Sequence, residues 1–386
     1  MRRALIVGGG IFGITAAVEL RRRSWAVTVV DRARVPNPDA SSTDTSKLVR
    51  MDYGNDRFYH ELAEAALEGW DRWNRDLPTP LYHETGFLVL AAEEMAPGGF
   101  EHDSFQILDE RGFGPVRLAD HAEVLARGPW MLDAYPDGYL SRRAGWVECD
   151  RVVEVLIEKA KSIGVVFREG MARKLSAHGS KITGVTLDNG SRLGADCVVV
   201  SAGAWTPQLV PELAGLLTSV AQPVLYFKPP DPSPYHGENF PTWAADTSRE
   251  GWYGFPSLPD GRVKVGHHGK GIPVEPDRRL PVGHRHEQRT RAFLKNFLPE
   301  LAKARVDHRR TCMYCDSLDG DFVIARHPWH DGLVVASGGS GHGFKFAPLL
   351  GEIVANVVEG HDEPRAERFQ WRTEITEKLE ASRSRA

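Results

Sequence analysis

Three glycines in the pattern Gly8-x-Gly10-x-x-Gly13, with Asp31 eighteen residues further on, are residues that could hold a dinucleotide. Each has a physical task. Gly8 permits a tight turn, Gly10 lets backbone approach a pyrophosphate, and Gly13 lets a helix pack closely on a strand. Free N–H groups at the helix start attract phosphate, and an acidic side chain at Asp31 accepts hydrogen bonds from a ribose. A second glycine run, Gly338-Gly339-Ser340-Gly341-His342-Gly343, lies near the far end of the chain. Cys312-x-x-Cys315 has the spacing of a redox pair or half a metal site. No second such pair and no thioredoxin-like context accompanies it, so Cys315 reads as incidental and no metal site is expected.

The surrounding pattern supplies elements to position these residues. Ala4 to Val7 is a short apolar run that reads as a buried parallel strand, Ile11 to Arg23 as a helix, and Ala26 to Val30 as a second strand. Together they make one βαβ unit, the context the glycine pattern needs. Asp56 to Asn74 places Tyr59, Leu62, Ala63, Ala66, Leu67, Trp70 and Trp73 at three- and four-residue steps, the mark of a helix with one buried face. Strands are expected at Gly86 to Ala92, Val165 to Arg168, Asp196 to Ser201, Trp252 to Phe255, Arg262 to His267 and Leu333 to Ala336. Helices are expected at Asp150 to Ile163 and Ala347 to Val358, and a hairpin turns at Asn189-Gly190. The proline-dense Pro223 to Pro241 reads as a loop or edge excursion, and the charged tail after Pro364 as frayed.

Composition narrows the class. The 386 residues are 41% hydrophobic and 26% charged with a formal net charge of −4, which suits an ordinary globular protein of two domains or one interleaved one. Basic runs such as Arg21-Arg22-Arg23 are short, so no nucleic-acid partner is expected. Four cysteines, Cys149, Cys197, Cys312 and Cys315, are too few for a disulfide scaffold. No apolar run is long enough for a signal core or a membrane span, and a cytoplasmic location is expected. The βαβ unit alone does not choose between FAD and NAD. No second fingerprint follows it, and a helix start at Gly338 to Gly343 would face a flavin edge, which favours FAD.

Further motifs carry a resemblance. Tyr253-Gly254-Phe255-Pro256, Lys264-Val265-Gly266-His267-His268, Cys312-Met313-Tyr314 and Gly341-His342-Gly343-Phe344-Lys345-Phe346 resemble the sarcosine oxidase family of the D-amino acid oxidase superfamily. That family includes N-methyltryptophan, pipecolate and fructosyl amino acid oxidases. The resemblance runs from residue 1 to about residue 360. It implies an α/β (α+β) fold, a Rossmann-type FAD-binding domain interleaved with a substrate domain on a large mixed sheet. The expected bounds are 1–85, 145–218 and 320–386 for the first, and 86–144 and 219–319 for the second. It also implies that a secondary or tertiary amino acid is oxidised at its C–N bond to an imine, with O2 reduced to hydrogen peroxide. A fructosyl amino acid oxidase, or a dehydrogenase with another acceptor, are the alternatives. Monomer is the default state.

The resemblance assigns roles residue by residue. Cys312 matches the position of covalent flavin attachment, and His308, Arg309 and Arg310 nearby would favour its thiolate. Lys264 matches the lysine that activates O2, where a fixed charge in a dry site stabilises developing negative charge. On composition alone it is a surface lysine between inward Val263 and Val265. Arg50 and Lys345 match the pair that grips the substrate carboxylate, a planar fork and a point charge. Tyr253, His268 and Tyr314 match pocket residues, with Tyr253 and His268 also counted as catalytic. Lys47 stands where sarcosine oxidases carry arginine and fructosyl amino acid oxidases tend to carry lysine, over one flavin face. Cofactor contacts are expected from Gly8, Gly10, Ile11, Phe12, Gly13, Asp31, Arg32, Ser42, Lys47, Met171, Ala202, Gly203, Trp205, Cys312, Gly341, His342, Gly343, Phe344 and Lys345.

Overall fold

The computed structural model describes residues 1–118, 122, 126 and 128–372. Ala4, Leu5 and Ile6 are at most 2% exposed, so the first strand is covered on both faces, as a parallel strand must be. It sits inside a six-stranded sheet, in spatial order 323–326, 333–337, 197–200, 3–7, 26–31 and 166–169. All neighbours are parallel except the edge pair 323–326 and 333–337. Strands from the start, middle and end of the chain therefore lie side by side. The helices Ile11–Arg22, Cys149–Ser162 and Ala347–Glu359 share one apolar core over this sheet. The expected helix near residue 56 spans Arg57–Asp76, with Asp56 capping it by accepting from Tyr59 N at 3.3 Å.

A nine-stranded mixed sheet makes the second layer system, in order 272–273, 217–228, 263–267, 252–257, 242–245, 87–91, 137–141 and 116–117, with 305–317 paired along 217–228. One expectation fails here, and one strand is not among those expected. Leu217–Lys228 is a twelve-residue strand, so Pro223 to Lys228 is not a loop. Pro223 is tolerated because residues 222 and 223 fall between the stretches paired with 272–273 and with 263–266, where a missing N–H costs no ladder bond on that flank. Arg305–Ser317 is a strand that carried no sequence signal, since its first half is charged and solvent-facing and only Thr311 to Cys315 and Ser317 are buried. The prolines from Pro229 on do form irregular chain, with a short turn at Ser233–Tyr235. The tail is not frayed where described. Pro364–Phe369 is a turn, Phe369 is fully buried, and Arg368 pairs with Asp56 and Asp321. Residues 373–386, and 119–121, 123–125 and 127, lie outside the described residues, and so do those parts of the expected domains. Among the described residues no helix is long and apolar enough to cross a membrane.

Candidate active site

The glycine turn is built as its spacing requires. Gly8 adopts φ +104°, and a Cβ on it or on Gly13 would collide with the backbone of Ser201 or of Gly8 itself. Gly10 leads into the helix, and Ile11 N donates to Ser42 Oγ at 3.0 Å. Asp31 Oδ2 accepts from Gly9 N at 2.8 Å and its Oδ1 from Asn37 Nδ2 at 2.8 Å, which aims the carboxylate at the turn. Gly13→Ala is therefore expected to cost about 3 kcal/mol or more through forced backbone movement and to lose any dinucleotide held at this turn. Gly283→Ala, at an open position, is the control, with denaturant melts and the cofactor-to-protein absorbance ratio as readouts.

Beside this turn lies a cleft of about 1180 Å³, counting the space it shares with open solvent. Gly8, Gly10, Ile11, Phe12, Asp31, Arg32, Ser42, Lys47, Met171, Ala202, Gly203, Trp205, Tyr314, Gly341, Gly343 and Phe344 line it. Gly13 does not, since it packs helix on strand. His342 and Lys345 line a neighbouring cavity instead. Cys312 lines neither, whereas Cys315 lines the first. Asn37, Ser41 and Met313 are lining residues the sequence did not single out. The C-terminal glycine run does not pass straight into the helix. A tight turn at Gly343–Phe346 intervenes before Ala347–Glu359, and Gly341 at φ +75° lies so close to Tyr314 that no Cβ would fit.

The second cavity, about 780 Å³, brings together Lys264, Lys47, His268, Tyr253, Arg50, Lys345 and Tyr314. Phe87, Phe100, Trp252, Phe255 and Phe344 make much of its wall. Among the described residues, four lysines and arginines face this space and no carboxylate lines it. Lys47, Tyr314, Gly341 and Phe344 line both cavities, so the two share a wall.

Each cation is held differently. The Arg50 guanidinium lies 5.1 Å from the Tyr53 ring centre, 5.7 Å from Phe100 and 5.8 Å from Phe87, and its buried Nη1 has no hydrogen-bond partner among the described residues. Lys345 Nζ donates to Tyr53 OH at 2.7 Å. Tyr53 OH in turn meets His342 Nδ1 at 3.0 Å, and His342 Nε2 meets Gly320 O at 3.0 Å. A carbonyl only accepts, so His342 carries its proton on Nε2 and orients Tyr53. Lys264 is buried, not a surface lysine. Its Nζ donates to Asp44 Oδ2 at 2.6 Å and Ser46 O at 2.8 Å.

Asp44 and Tyr226 were not legible as site residues. Burial pushes the Asp44 carboxyl up, but Lys264, Lys47 and Arg310 outweigh it and hold it far below the ordinary range. Burial alone would lower Lys47, yet Cys312 and Asp44 beside it raise it above the usual lysine value. Cys312 Sγ lies 3.5 Å from Asp44 Oδ2 and 3.9 Å from Lys47 Nζ. Burial raises the Cys315 thiol to about 11, the behaviour of an inert buried cysteine, and Ser337 Oγ points at its sulfur at 3.6 Å. Burial likewise raises Tyr253 well above an ordinary tyrosine, so its phenol stays protonated. Away from this site, Glu212, His327 and His330 converge within 4.8 Å. His327 Nδ1 accepts from Trp329 N at 3.2 Å, which leaves the proton on Nε2 and opposes a metal there.

Residues 3–357 match the family model described as DAO, FAD dependent oxidoreductase. Monomeric sarcosine oxidase of Bacillus sp. (strain B-0618) is 28% identical over 365 residues, covering 92% of this chain and 91% of that protein. N-methyl-L-tryptophan oxidase of Salmonella heidelberg (strain SL476) is 28% identical over 369 residues, covering 92% and 94%. Among solved structures, fructosamine oxidase (Amadoriase II) of Aspergillus fumigatus superposes with a TM-score of 0.83 at 25% identity, covering 96% of this chain and 89% of that one.

Proposed function

The chain belongs to the DAO family of FAD-dependent oxidoreductases, and from that premise we propose that it oxidises an N-substituted amino acid, N-alkyl or cyclic, to the imine with O2 as acceptor. The observation that carries this reading is the second cavity, with four cations, an aromatic wall and no lining carboxylate, sharing a wall with the dinucleotide cavity. The cradle supports FAD there. Gly8 and Gly10 leave room for a pyrophosphate, the start of the helix Ile11–Arg22 supplies amides, and Asp31 is aimed for a ribose. When bound, the flavin supplies the acceptor for the hydride of the C–H bond next to nitrogen. Arg50 and Lys345 bind the substrate carboxylate and orient the amine. With no carboxylate lining the cavity to hold an ammonium, the neutral amine is the form favoured for oxidation. Tyr253, Tyr314 and His268 shape the space about the reacting carbon, and Lys264 stands as the charge for O2.

A fructosyl substituent would present several hydroxyls that need acceptors. Ser46, Thr247 and the two tyrosines offer few, and the aromatic wall favours an apolar substituent. The test is peroxide release from a panel of N-methyl, cyclic and fructosyl amino acids. Turnover of the first two groups is the expected result. Turnover of the fructosyl compounds alone would overturn the substrate class, and turnover with a dye but not with O2 would overturn the acceptor.

Covalent attachment through Cys312 forms part of this reading; the Lys47 ammonium 3.9 Å from its sulfur favours the thiolate, and the Asp44 carboxylate at 3.5 Å opposes it. Acid precipitation should leave the yellow colour in the pellet of the wild type and of Cys315→Ser, and in the supernatant of Cys312→Ser. Colour retained in the Cys312→Ser pellet would move the link elsewhere. The nucleotide-holding unit is assigned to 1–85, 145–218 and 320–386 and the substrate unit to 86–144 and 219–319. The bound at 218 falls just inside the strand Leu217–Lys228.

A further inference from the structure

Asp44 lies behind the cavity wall, not on it, and its side chain is 1% exposed. Its carboxylate is the meeting point of a buried charge cluster. Lys264 Nζ sits 2.6 Å away, Lys47 Nζ 3.9 Å and Arg310 Nε 4.0 Å, and Tyr226 OH donates to the other oxygen. The backbone fixes its place. Asp44 O accepts from Asp150 N at 3.1 Å and from Cys149 Sγ at 2.6 Å, at the start of the helix Cys149–Ser162. Lys264 and Lys47 line the substrate cavity in front of it, and Lys47 also lines the dinucleotide cavity.

In so dry a cluster the charges are weakly screened, so a neighbouring group responds to their sum and not to the nearest one alone. Lys264 and Asp44 sum to zero. Two cations of the cluster are left, Lys47 on the wall the two cavities share and Arg310 off both cavities.

We propose that Asp44 sets the reduction potential of the flavin, as the buried counter-charge that makes a neutral pair with Lys264. This rests on the reading that the ring system lies at the shared wall. Two-electron reduction adds negative charge to the ring. A fixed carboxylate behind the wall opposes that and a fixed ammonium favours it. Asp44 touches neither substrate nor flavin in this arrangement, so it tunes and positions and does not take part in the chemistry.

The test is the midpoint potential of the holoenzyme, by reductive titration against redox dyes. Asp44→Asn keeps the shape and removes the charge, and should raise the potential by about 30 mV or more, a tenfold shift for a two-electron couple. Lys264→Met should lower it by a similar amount. The double variant should return close to wild type, a pattern that a loss of packing would not give. An unchanged or lowered potential in Asp44→Asn would overturn the proposal. Should Asp44→Asn fail to hold FAD, Tyr226→Phe decides. It keeps every charge but removes a donor from Asp44, so the potential should fall, and no change there overturns the proposal equally. The titration needs no amine, so failure of the substrate reading would leave it intact.

Discussion

Lys264→Met is expected to slow reoxidation of the reduced enzyme by O2 by about 100-fold or more, while amine-driven reduction changes much less. The magnitude is that of removing one preorganised donor from a dry site where charge develops, about 10²–10³ in rate. Two features make the residue fit that role. Its side chain is 2% exposed, so no water screens it, and its Nζ is fixed by Asp44 Oδ2 and Ser46 O. The same features carry a cost. Methionine leaves Asp44 buried with its strongest partner gone, and breaking a buried pair from one side costs about 3–5 kcal/mol. Thermal melts must therefore accompany the kinetics, and Asp44→Asn in the Lys264→Met background should recover part of the lost stability. Rapid mixing separates the two half-reactions. Reoxidation at the wild-type rate in a folded Lys264→Met would remove O2 activation from this lysine.

How much of this was readable depends on how local each signal is. The βαβ unit was legible because Gly8, Gly10, Gly13 and Asp31 sit within one supersecondary unit, and each constraint acts through neighbouring backbone. Lys264 was legible only through a motif. Its alternation with Val263 and Val265 argues for an exposed side chain, and it is buried because Asp44, 220 positions away, supplies the counter-charge. Nothing in the sequence near Asp44 announces that pairing. The strand Arg305–Ser317 was missed for a related reason. Half of it is charged and its partner is the proline-bearing Leu217–Lys228, so neither strand shows clean alternation of apolar residues. The cavity wall is the least legible part. Phe87, Phe100 and Trp252 come from two strands and the start of a helix, and read alone each is an ordinary core aromatic.

Arg50→Met is expected to lower kcat/KM for a carboxylate-bearing amine by about 10³, mostly through KM. Truncating one partner of a desolvated charge pair costs about 2–5 kcal/mol, and each 1.4 kcal/mol is tenfold. The structure gives Arg50 the means to make such a pair. Its guanidinium stands among Tyr53, Phe87 and Phe100, which hold the planar group without satisfying its hydrogen bonds, and Nη1 is buried with no partner among the described residues. An unsatisfied donor of this kind is costly in the free protein, and an arriving carboxylate relieves it. Lys345 differs, because its Nζ already donates a hydrogen bond to Tyr53 OH. Its replacement by methionine should cost less, and Arg50→Lys should lie between wild type and Arg50→Met, since it keeps charge but loses the two-pronged geometry. The decisive comparison uses the matching amide in place of the acid. Wild type should discriminate strongly against the amide, and Arg50→Met should lose most of that discrimination by failing on the acid alone. Equal losses on acid and amide would mean that Arg50 only supports the wall built around it, and the carboxylate site would have to be sought at Lys47 and Lys345.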